Sequence, residues 1–255
     1  MRQRSATVSA VCVVLVASTA VAGQSARREP KRPDAKVLAF FATARWTSPE
    51  DFLRSRRPAP LSQELRAQVI ASLPRDGELQ PTSGERRKLA ALDAVLGFHD
   101  RKGVIEVKVI EVGQAAVALH ARTALLVSRA ALALLSPEEL QAVASHELAH
   151  EYSWDEYRAA IQGNAWEPRQ EMELMCDGFA VMTLRVLGVD PDRLRSAVTK
   201  LTRYNERVGA TATAGAYVSL QDRRRFIDAV SRLVDETERA QAAARQTASD
   251  EPLRR

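Results

Sequence analysis

The spacing of hydrophobic residues changes along the chain and predicts helices on both sides of a short β-rich segment. Apolar residues recur at helical spacing over Leu61–Leu73 and Glu85–Leu96, which predicts two helices. From Val104 to Val112 apolar and charged residues alternate, which is typical of a half-buried strand. Residues 115–119 and 124–127 are two further short apolar runs. We therefore predict a small sheet of about three strands in this part of the chain.

A long helical region follows the predicted sheet. Residues 136–139 (Ser-Pro-Glu-Glu) supply a capping serine, a proline at the first helical position and a glutamate that completes a capping box, so a helix begins there. Further helices are predicted over residues 166–187, 190–208 and 221–245. Strands confined to one segment, with helices elsewhere, indicate an α+β fold that is mainly helical. We assign it to one domain over residues 61–245.

The first residues of the chain have the pattern of an export signal. Arg2 and Arg4 precede a run of small and apolar residues that ends at Ala20-Val21-Ala22, a small-x-small cleavage site. We predict a signal peptide over residues 1–22 and a mature protein that is periplasmic or extracellular. The alternative is an uncleaved segment that tethers the chain to the membrane. No other stretch is apolar enough to cross a bilayer, so no membrane span is expected after cleavage.

The segments that flank the predicted domain are polar. Residues 23–36 are basic, contain proline and have almost no large apolar side chains. Apolar residues follow between 37 and 55, but the sequence Arg-Arg-Pro-Ala-Pro at 56–60 interrupts them. We expect residues 23–60 to be a flexible linker or, alternatively, a pro-segment that plugs the site. Residues 246–255 are expected to form a flexible tail.

Composition and charge narrow the range of partners. Aromatic residues make up only 5% of the 255 residues, which argues against a protein that stacks nucleic-acid bases. The net charge of +5 is spread along the chain rather than concentrated in one stripe, so no nucleic-acid partner is expected. Cys12 lies inside the predicted signal, which leaves Cys176 as the one cysteine of the mature chain. An intramolecular disulfide is therefore excluded there.

One motif indicates metal chemistry. The helix that begins after Ser136 contains His146-Glu147-Leu148-Ala149-His150, which has the form H-E-x-x-H. Two histidines four residues apart lie on one helical face and can bind a single Zn²⁺ through their imidazole nitrogens. Glu147 lies beside them, where its carboxylate can act as a base toward a metal-bound water.

A catalytic zinc site needs a third protein ligand. The candidates are Glu171, Glu173 and Asp177 in the predicted helix over residues 166–187. Glu173 and Asp177 are four residues apart and share a face, whereas Glu171 points away from it. A turn near residue 163 allows this helix to return to the motif, so Glu173 is the expected third ligand. Asp177, one turn further, is expected to accept a hydrogen bond from a ligand imidazole and fix its tautomer.

The two motifs together resemble the gluzincin pattern HExxH…ExxxD. Residues 135–150 are similar to the LSxxELxAVxAHExAH segment of the metallopeptidase family that contains HtpX and the CAAX prenyl proteases, and residues 173–177 resemble its second motif. The resemblance covers residues 104–190 well. It implies a zincin-like metallopeptidase fold and one Zn²⁺ per chain. It also implies a zinc endopeptidase that processes peptides or unfolded proteins, or controls protein quality, in the cell envelope.

Several positions depart from the family pattern. Residues 113–119 lack the asparagine of the family's substrate-binding edge strand, although Ala115–Leu119 remain a candidate strand for holding an extended peptide. Ser219-Leu220 stands where the family has His-Pro. The group that assists the zinc at the developing oxyanion is therefore open between Arg225, Tyr217 and His120. We place Arg225 among the catalytic residues with Glu147.

The sequence leaves two alternatives to an endopeptidase. One is a zinc-dependent binding or chaperone-like module with vestigial catalysis. The other is a regulatory protein whose site is plugged by its own N-terminal segment.

Other polar and aromatic residues have simpler interpretations. Cys176 occupies an alanine position of the family motif and is expected to be a small core residue, with a metal ligand or redox switch as the alternative. His99 is expected to be a loop histidine rather than a ligand. Three aromatic residues between the two motifs are expected to pack the interhelical turn, or alternatively to line a substrate cleft: Trp154, Tyr157 and Trp166.

Overall fold

The computed structural model describes residues 33–44, 46–73, 77–163, 165–210 and 218–250. It is mainly helical with a small four-stranded mixed sheet, which confirms the predicted α+β, mainly helical class. The α-helices of the described residues are α1 (Pro33–Thr43), α2 (Pro49–Arg56), α3 (Gln63–Ser72), α4 (Ser83–Leu89), α5 (Leu92–Phe98), α6 (Arg129–Leu134), α7 (Pro137–Ala149), α8 (Trp154–Gln162), α9 (Trp166–Val186), α10 (Asp192–Arg207) and α11 (Leu220–Asp250). The strands are β1 (Glu78–Leu79), β2 (Glu106–Ile110), β3 (Val117–His120) and β4 (Ala124–Ser128), and a 3₁₀ helix spans His150–Ser153.

The sheet places β3 at one of its edges. The strand order is β1-β2-β4-β3, with β2 parallel to β4 and the outer strands antiparallel to their neighbours. The three strands predicted from the sequence are therefore confirmed. The fourth, β1, is only two residues long, which is too short for an alternating pattern to reveal it. One face of the sheet packs on α5, α6 and α7 through Val109, Leu125, Val127, Leu140 and Val143.

Helix α7 begins as predicted and is anchored to α10. The Ser136 side chain accepts from the Glu139 amide at 3.2 Å, and the Glu139 carboxylate accepts from the Ser136 amide at 2.8 Å, which completes the capping box. The same buried carboxylate accepts hydrogen bonds from Ser196 at 2.6 Å and Lys200 at 2.8 Å, both on α10. One glutamate thus satisfies a helix end and joins two helices.

The N-terminal helices are part of the main core. Phe41 of α1 and Phe52 of α2 are fully buried, and the ring of each lies 5.7 Å from that of Phe179 in α9. The structure therefore differs from the flexible linker expected over residues 23–60, because α1 and α2 within that segment pack on α9. Val37 and Phe41 are four residues apart, so they form one apolar helical face that needs a partner. The predicted signal peptide lies outside the described residues.

Several element boundaries differ from the sequence prediction. The single helix expected over Glu85–Leu96 is two helices, α4 and α5, separated by a turn at Ala90-Ala91. In that turn the Ala91 amide bonds to the Lys88 carbonyl, three residues back, and the Lys88 ammonium bonds to the Leu132 and Leu135 carbonyls. Helix α11 continues to Asp250, five residues beyond the predicted end. Within the described residues no helix is both long and apolar enough to cross a membrane.

Gly178 in α9 allows the close approach of α1. A Cβ atom at this position would lie 2.3 Å from two atoms of the Phe41 ring, which other aromatic rings hold in place. We expect Gly178→Ala to lower the free energy of unfolding by about 1–3 kcal/mol through overpacking, measured by denaturant titration. Gly97→Ala is the matched control, since a Cβ there meets nothing within 4 Å. Equal stability of the two variants would contradict this account.

Candidate metal centre

Three helical elements bring the candidate site together. His146 and Glu147 lie in the last turn of α7, and His150 begins the 3₁₀ helix that follows. The backbone stays right-handed helical through His150, so the two imidazoles share one face and their ring centroids are 5.2 Å apart. Helix α9 packs on α7 and directs Glu173 and Asp177 toward these rings. The predicted return of the second helix to the H-E-x-x-H motif is therefore confirmed.

The Nε2 atoms of both histidines face the Glu173 carboxylate. Glu173 Oε2 lies 3.3 Å from His146 Nε2, and Glu173 Oε1 lies 3.9 Å from His150 Nε2. The Glu147 carboxylate completes the cluster, since ligand atoms of His146, Glu147 and His150 all lie within 4.8 Å of one another. Four side chains that can ligate a metal thus meet in one place.

Four buried atoms of this cluster have no hydrogen-bond partner in the described part of the chain. They are His146 Nε2, His150 Nε2, Glu147 Oε1 and Glu173 Oε2. A buried polar atom without a partner costs about 1–3 kcal/mol, so four at one point call for a further binding partner. Two imidazole nitrogens and carboxylate oxygens are the ligand set of a catalytic zinc site. The buried group can therefore hold a metal ion.

The other nitrogen of His146 is bound by Asp177. His146 Nδ1 lies 2.9 Å from Asp177 Oδ1, which is the contact predicted from the sequence. Asp177 in turn accepts two hydrogen bonds from Arg223 of α11, at 2.8 Å from Nε and 2.5 Å from one terminal nitrogen. A carboxylate on Nδ1 fixes the tautomer that leaves the Nε2 lone pair available to a metal.

Arg223, rather than Arg225, belongs to the site. The Arg223 side chain is 7% exposed, whereas that of Arg225 is 60% exposed and pairs on the surface with Asp222. The expected role of Arg225 in catalysis is therefore wrong. The helical phase explains the difference, since Arg223 shares the buried face of α11 with Phe226, Ile227 and Val230. The spacing of Arg223 from these apolar residues is visible in the sequence and could have identified it as a buried residue.

The second imidazole contacts a thiol. Cys176 Sγ lies 3.3 Å from His150 Nδ1, and both residues are buried. Burial raises the pKa of the Cys176 thiol well above its usual value. Cys176 is small and fully buried, as the sequence predicted, but it also touches a candidate ligand.

The candidate base is held by the edge strand. Glu147 Oε2 accepts a hydrogen bond from the Leu119 amide of β3 at 3.0 Å, which leaves Oε1 directed into the cluster. Burial raises the pKa of Glu147 to about 8, and the neighbouring Glu173 carboxylate adds to this increase. A carboxylate with a raised pKa near neutrality is suited to accept and return a proton.

The remaining groups of the cluster have displaced pKa values with identifiable causes. Burial lowers the pKa of His150 to about 4. Burial opposes the charge of His146, but the contacts with Asp177 and Glu173 outweigh it and raise the pKa of His146 to about 9. Burial likewise opposes the charges of Glu173 and Asp177, yet their cationic neighbours lower both pKa values to about 2. The charge of the Glu173 carboxylate therefore faces the imidazole Nε2 atoms, and that of Asp177 faces His146 Nδ1.

Two other candidates from the sequence, Glu171 and His99, have their partners outside the cluster. Glu171 pairs with Lys36 at 2.5 Å, on a different face of α9 from Glu173, as predicted. His99 is buried between Tyr152 and Thr183, at 3.0 and 3.2 Å, and has a structural role. His120 ends β3 and is buried, which lowers its pKa. Tyr217 lies outside the described residues.

Two of the three aromatic residues between the motifs pack near the site. The Tyr157 ring is buried and its centroid lies 4.5 Å from that of His150. Trp154 is half-buried, with its ring centroid 6.1 Å from that of Tyr157. The Trp166 side chain lies outside the described residues. Packing of the segment between α7 and α9 is thus seen for Trp154 and Tyr157.

Comparisons with known proteins assign no family. No protein-family model matches the chain, and no match is found among curated proteins. The arrangement of His146, Glu147, His150, Glu173 and Asp177 is therefore the basis on which a function is assigned.

Proposed function

We propose that the chain is a zinc-dependent endopeptidase with a zincin-like fold, in which His146, His150 and Glu173 bind one Zn²⁺. The observation that carries this proposal is the convergence of four buried atoms without hydrogen-bond partners among the described residues. The hydrogen bond between His146 and Asp177, backed by Arg223, supports it, since metal-binding histidines almost always have such a partner. The resemblance of the two sequence motifs to gluzincins points the same way.

The chemistry follows from the positions of the side chains. When bound, zinc would supply a Lewis acid that polarises the peptide carbonyl and acidifies water. Glu147 takes the proton from the attacking water and passes it to the leaving amine, with its free Oε1 as the reacting atom. The Leu119 amide holds the other carboxylate oxygen and keeps Glu147 in one orientation. Asp177 and Arg223 orient His146 and do not touch the substrate.

The edge strand β3 is the proposed site for the peptide backbone. Ala116 and His120 bond toward β4, so the alternate residues Val117 and Leu119 direct their backbone groups to the outer edge. At Ala115 both backbone groups are occupied by the Asn205 side chain, at 2.8 and 2.9 Å. A peptide added as a further strand would therefore pair at Val117 and the Leu119 carbonyl, rather than along all of residues 115–119.

A second function is favoured by one observation. The ligand residues are at most 4% exposed, and the residues of β3 are buried as well. A peptide would need a path that opens through the residues covering them. This burial suits a zinc-dependent binding or chaperone-like module in which the metal stabilises the fold.

The substrates of the proposed enzyme are peptides or unfolded proteins, in the periplasm or outside the cell if the predicted signal operates.

Both proposed functions require bound zinc, so the zinc content of the purified protein tests them together. We expect about one zinc per chain in the purified protein, measured by elemental analysis, and a zinc affinity at least about 100-fold weaker in Glu173→Ala, because loss of an outer partner alone costs 10–100-fold. Glu171→Ala is the matched control, since this residue lies on the same helix but faces Lys36. A wild-type chain that binds no zinc, or equal affinities in the two variants, would overturn the proposed ligand set.

A further inference from the structure

We propose that Cys176 is a positioning residue, whose thiol sulfur accepts a hydrogen bond from His150 Nδ1 and so directs His150 Nε2 toward the metal. This inference rests on the proposed zinc site and assigns a role to a residue outside its ligand set. The contact that carries it is the 3.3 Å separation of Cys176 Sγ and His150 Nδ1.

The tautomer of His150 makes an acceptor necessary. His150 Nε2 faces Glu173 at 3.9 Å and lies within the ligand cluster. A neutral imidazole that binds a metal through Nε2 carries its proton on Nδ1. The Nδ1–H group of the buried His150 then needs an acceptor, and the sulfur of Cys176 is within reach. Without one, this donor would be buried and unsatisfied.

Neighbouring residues of α9 serve the two imidazoles separately. Asp177 contacts His146 Nδ1 at 2.9 Å, and Cys176 contacts His150 Nδ1 at 3.3 Å. Glu173, about one turn earlier, faces both Nε2 atoms. Cys176 and Asp177 are adjacent in α9, so their side chains point about 100° apart. Each can therefore contact a different one of the two histidines, which are four residues apart on the facing segment. One turn of α9 thus holds both rings and contributes the third ligand.

The two contacts differ in strength. A carboxylate is a strong acceptor, and Asp177 is further fixed by Arg223. A thiol sulfur is a weak acceptor. His150 is therefore the more weakly held of the two imidazoles, and zinc affinity should respond to the acceptor at position 176. If Cys176 only fills space, zinc affinity should not depend on whether the side chain at position 176 is an acceptor.

The experiment compares Cys176→Ala with Cys176→Ser, which differ by a single oxygen atom. We expect Cys176→Ala to weaken zinc binding about tenfold, at the low end of the range for outer partners, as measured by competition with a chromophoric chelator. Cys176→Ser restores an acceptor and should recover affinity to within about threefold of the wild type. In the Co²⁺-substituted protein, the visible absorption bands should shift for the alanine variant and return toward the wild-type position for the serine variant.

The outcomes separate this inference from the proposed function. Wild-type zinc binding with an unchanged affinity and Co²⁺ spectrum in Cys176→Ala would show that the thiol only fills space, and would leave the proposed zinc site standing. A serine variant as weak as the alanine variant, with equal thermal stability, would also overturn the role as acceptor. A wild-type chain that binds no zinc would remove the proposed function and this inference together.

Discussion

Replacement of Glu147 by glutamine should abolish peptide hydrolysis while the metal stays bound. Glutamine keeps the size of the side chain and can still accept from the Leu119 amide, but it cannot take a proton from water. We expect the rate of hydrolysis of an unfolded protein substrate to fall by about 10²–10⁴-fold. Zinc content should remain at the wild-type level, because Glu147 is not among the three proposed ligands.

The matched control for this experiment is Glu138→Gln, the same substitution at an exposed position of the same helix. Its rate should equal that of the wild type. If Glu147→Gln keeps its activity, the assignment of the general base is wrong. If the wild type binds zinc but hydrolyses nothing, the result favours the binding or chaperone-like module, which the burial of the site also suits.

Removal of residues 33–60 should prevent folding rather than release activity. The deletion takes Phe41 and Phe52 out of the core and uncovers Phe179. Loss of a buried phenylalanine side chain costs about 3–5 kcal/mol, so two approach or exceed the roughly 5–15 kcal/mol by which a domain is stable. We expect a chain that begins at Leu61 to lack a cooperative unfolding transition, measured by circular dichroism in denaturant.

The segment that follows α2 also makes polar contacts that the truncation would remove. Arg101 donates to the Pro58 carbonyl at 2.7 Å and to Glu151 at 2.6 Å, in an ion pair that is almost completely buried. Arg122 donates to the Ala59 carbonyl at 2.6 Å and also pairs with Glu151. Glu151 directly follows the candidate ligand His150. Truncation would remove the two carbonyl acceptors and loosen the network beside the candidate metal centre.

A chain that begins at Pro33 is the control for the truncation, because it keeps every described residue. It should unfold cooperatively at the same denaturant concentration as the chain that begins at residue 23. A folded and more active chain from Leu61 would instead support a pro-segment within residues 23–60 and would contradict the packing argument.

The local features of the candidate site could be predicted from the sequence. The spacing of His146 and His150 places two imidazoles on one helical face whatever surrounds them, because the period of a helix is fixed. The capping box at Ser136 is equally local, since a serine and the glutamate three residues later satisfy each other's backbone amides. The four-residue spacing of Glu173 and Asp177 likewise predicted that one helix would direct both toward the motif.

Contacts between distant segments were decided only by the tertiary structure. The sequence alone determined two imidazoles on one helix and a second helix with carboxylates on one face. The packing of α11 on α9 selected Arg223 over Arg225 as the partner of Asp177, and the burial of Phe41 against Gly178 turned an expected linker into part of the core. The contact between Cys176 and His150 is of the same kind. Each depends on which face of one helix meets another, and that is set by the packing of the whole core.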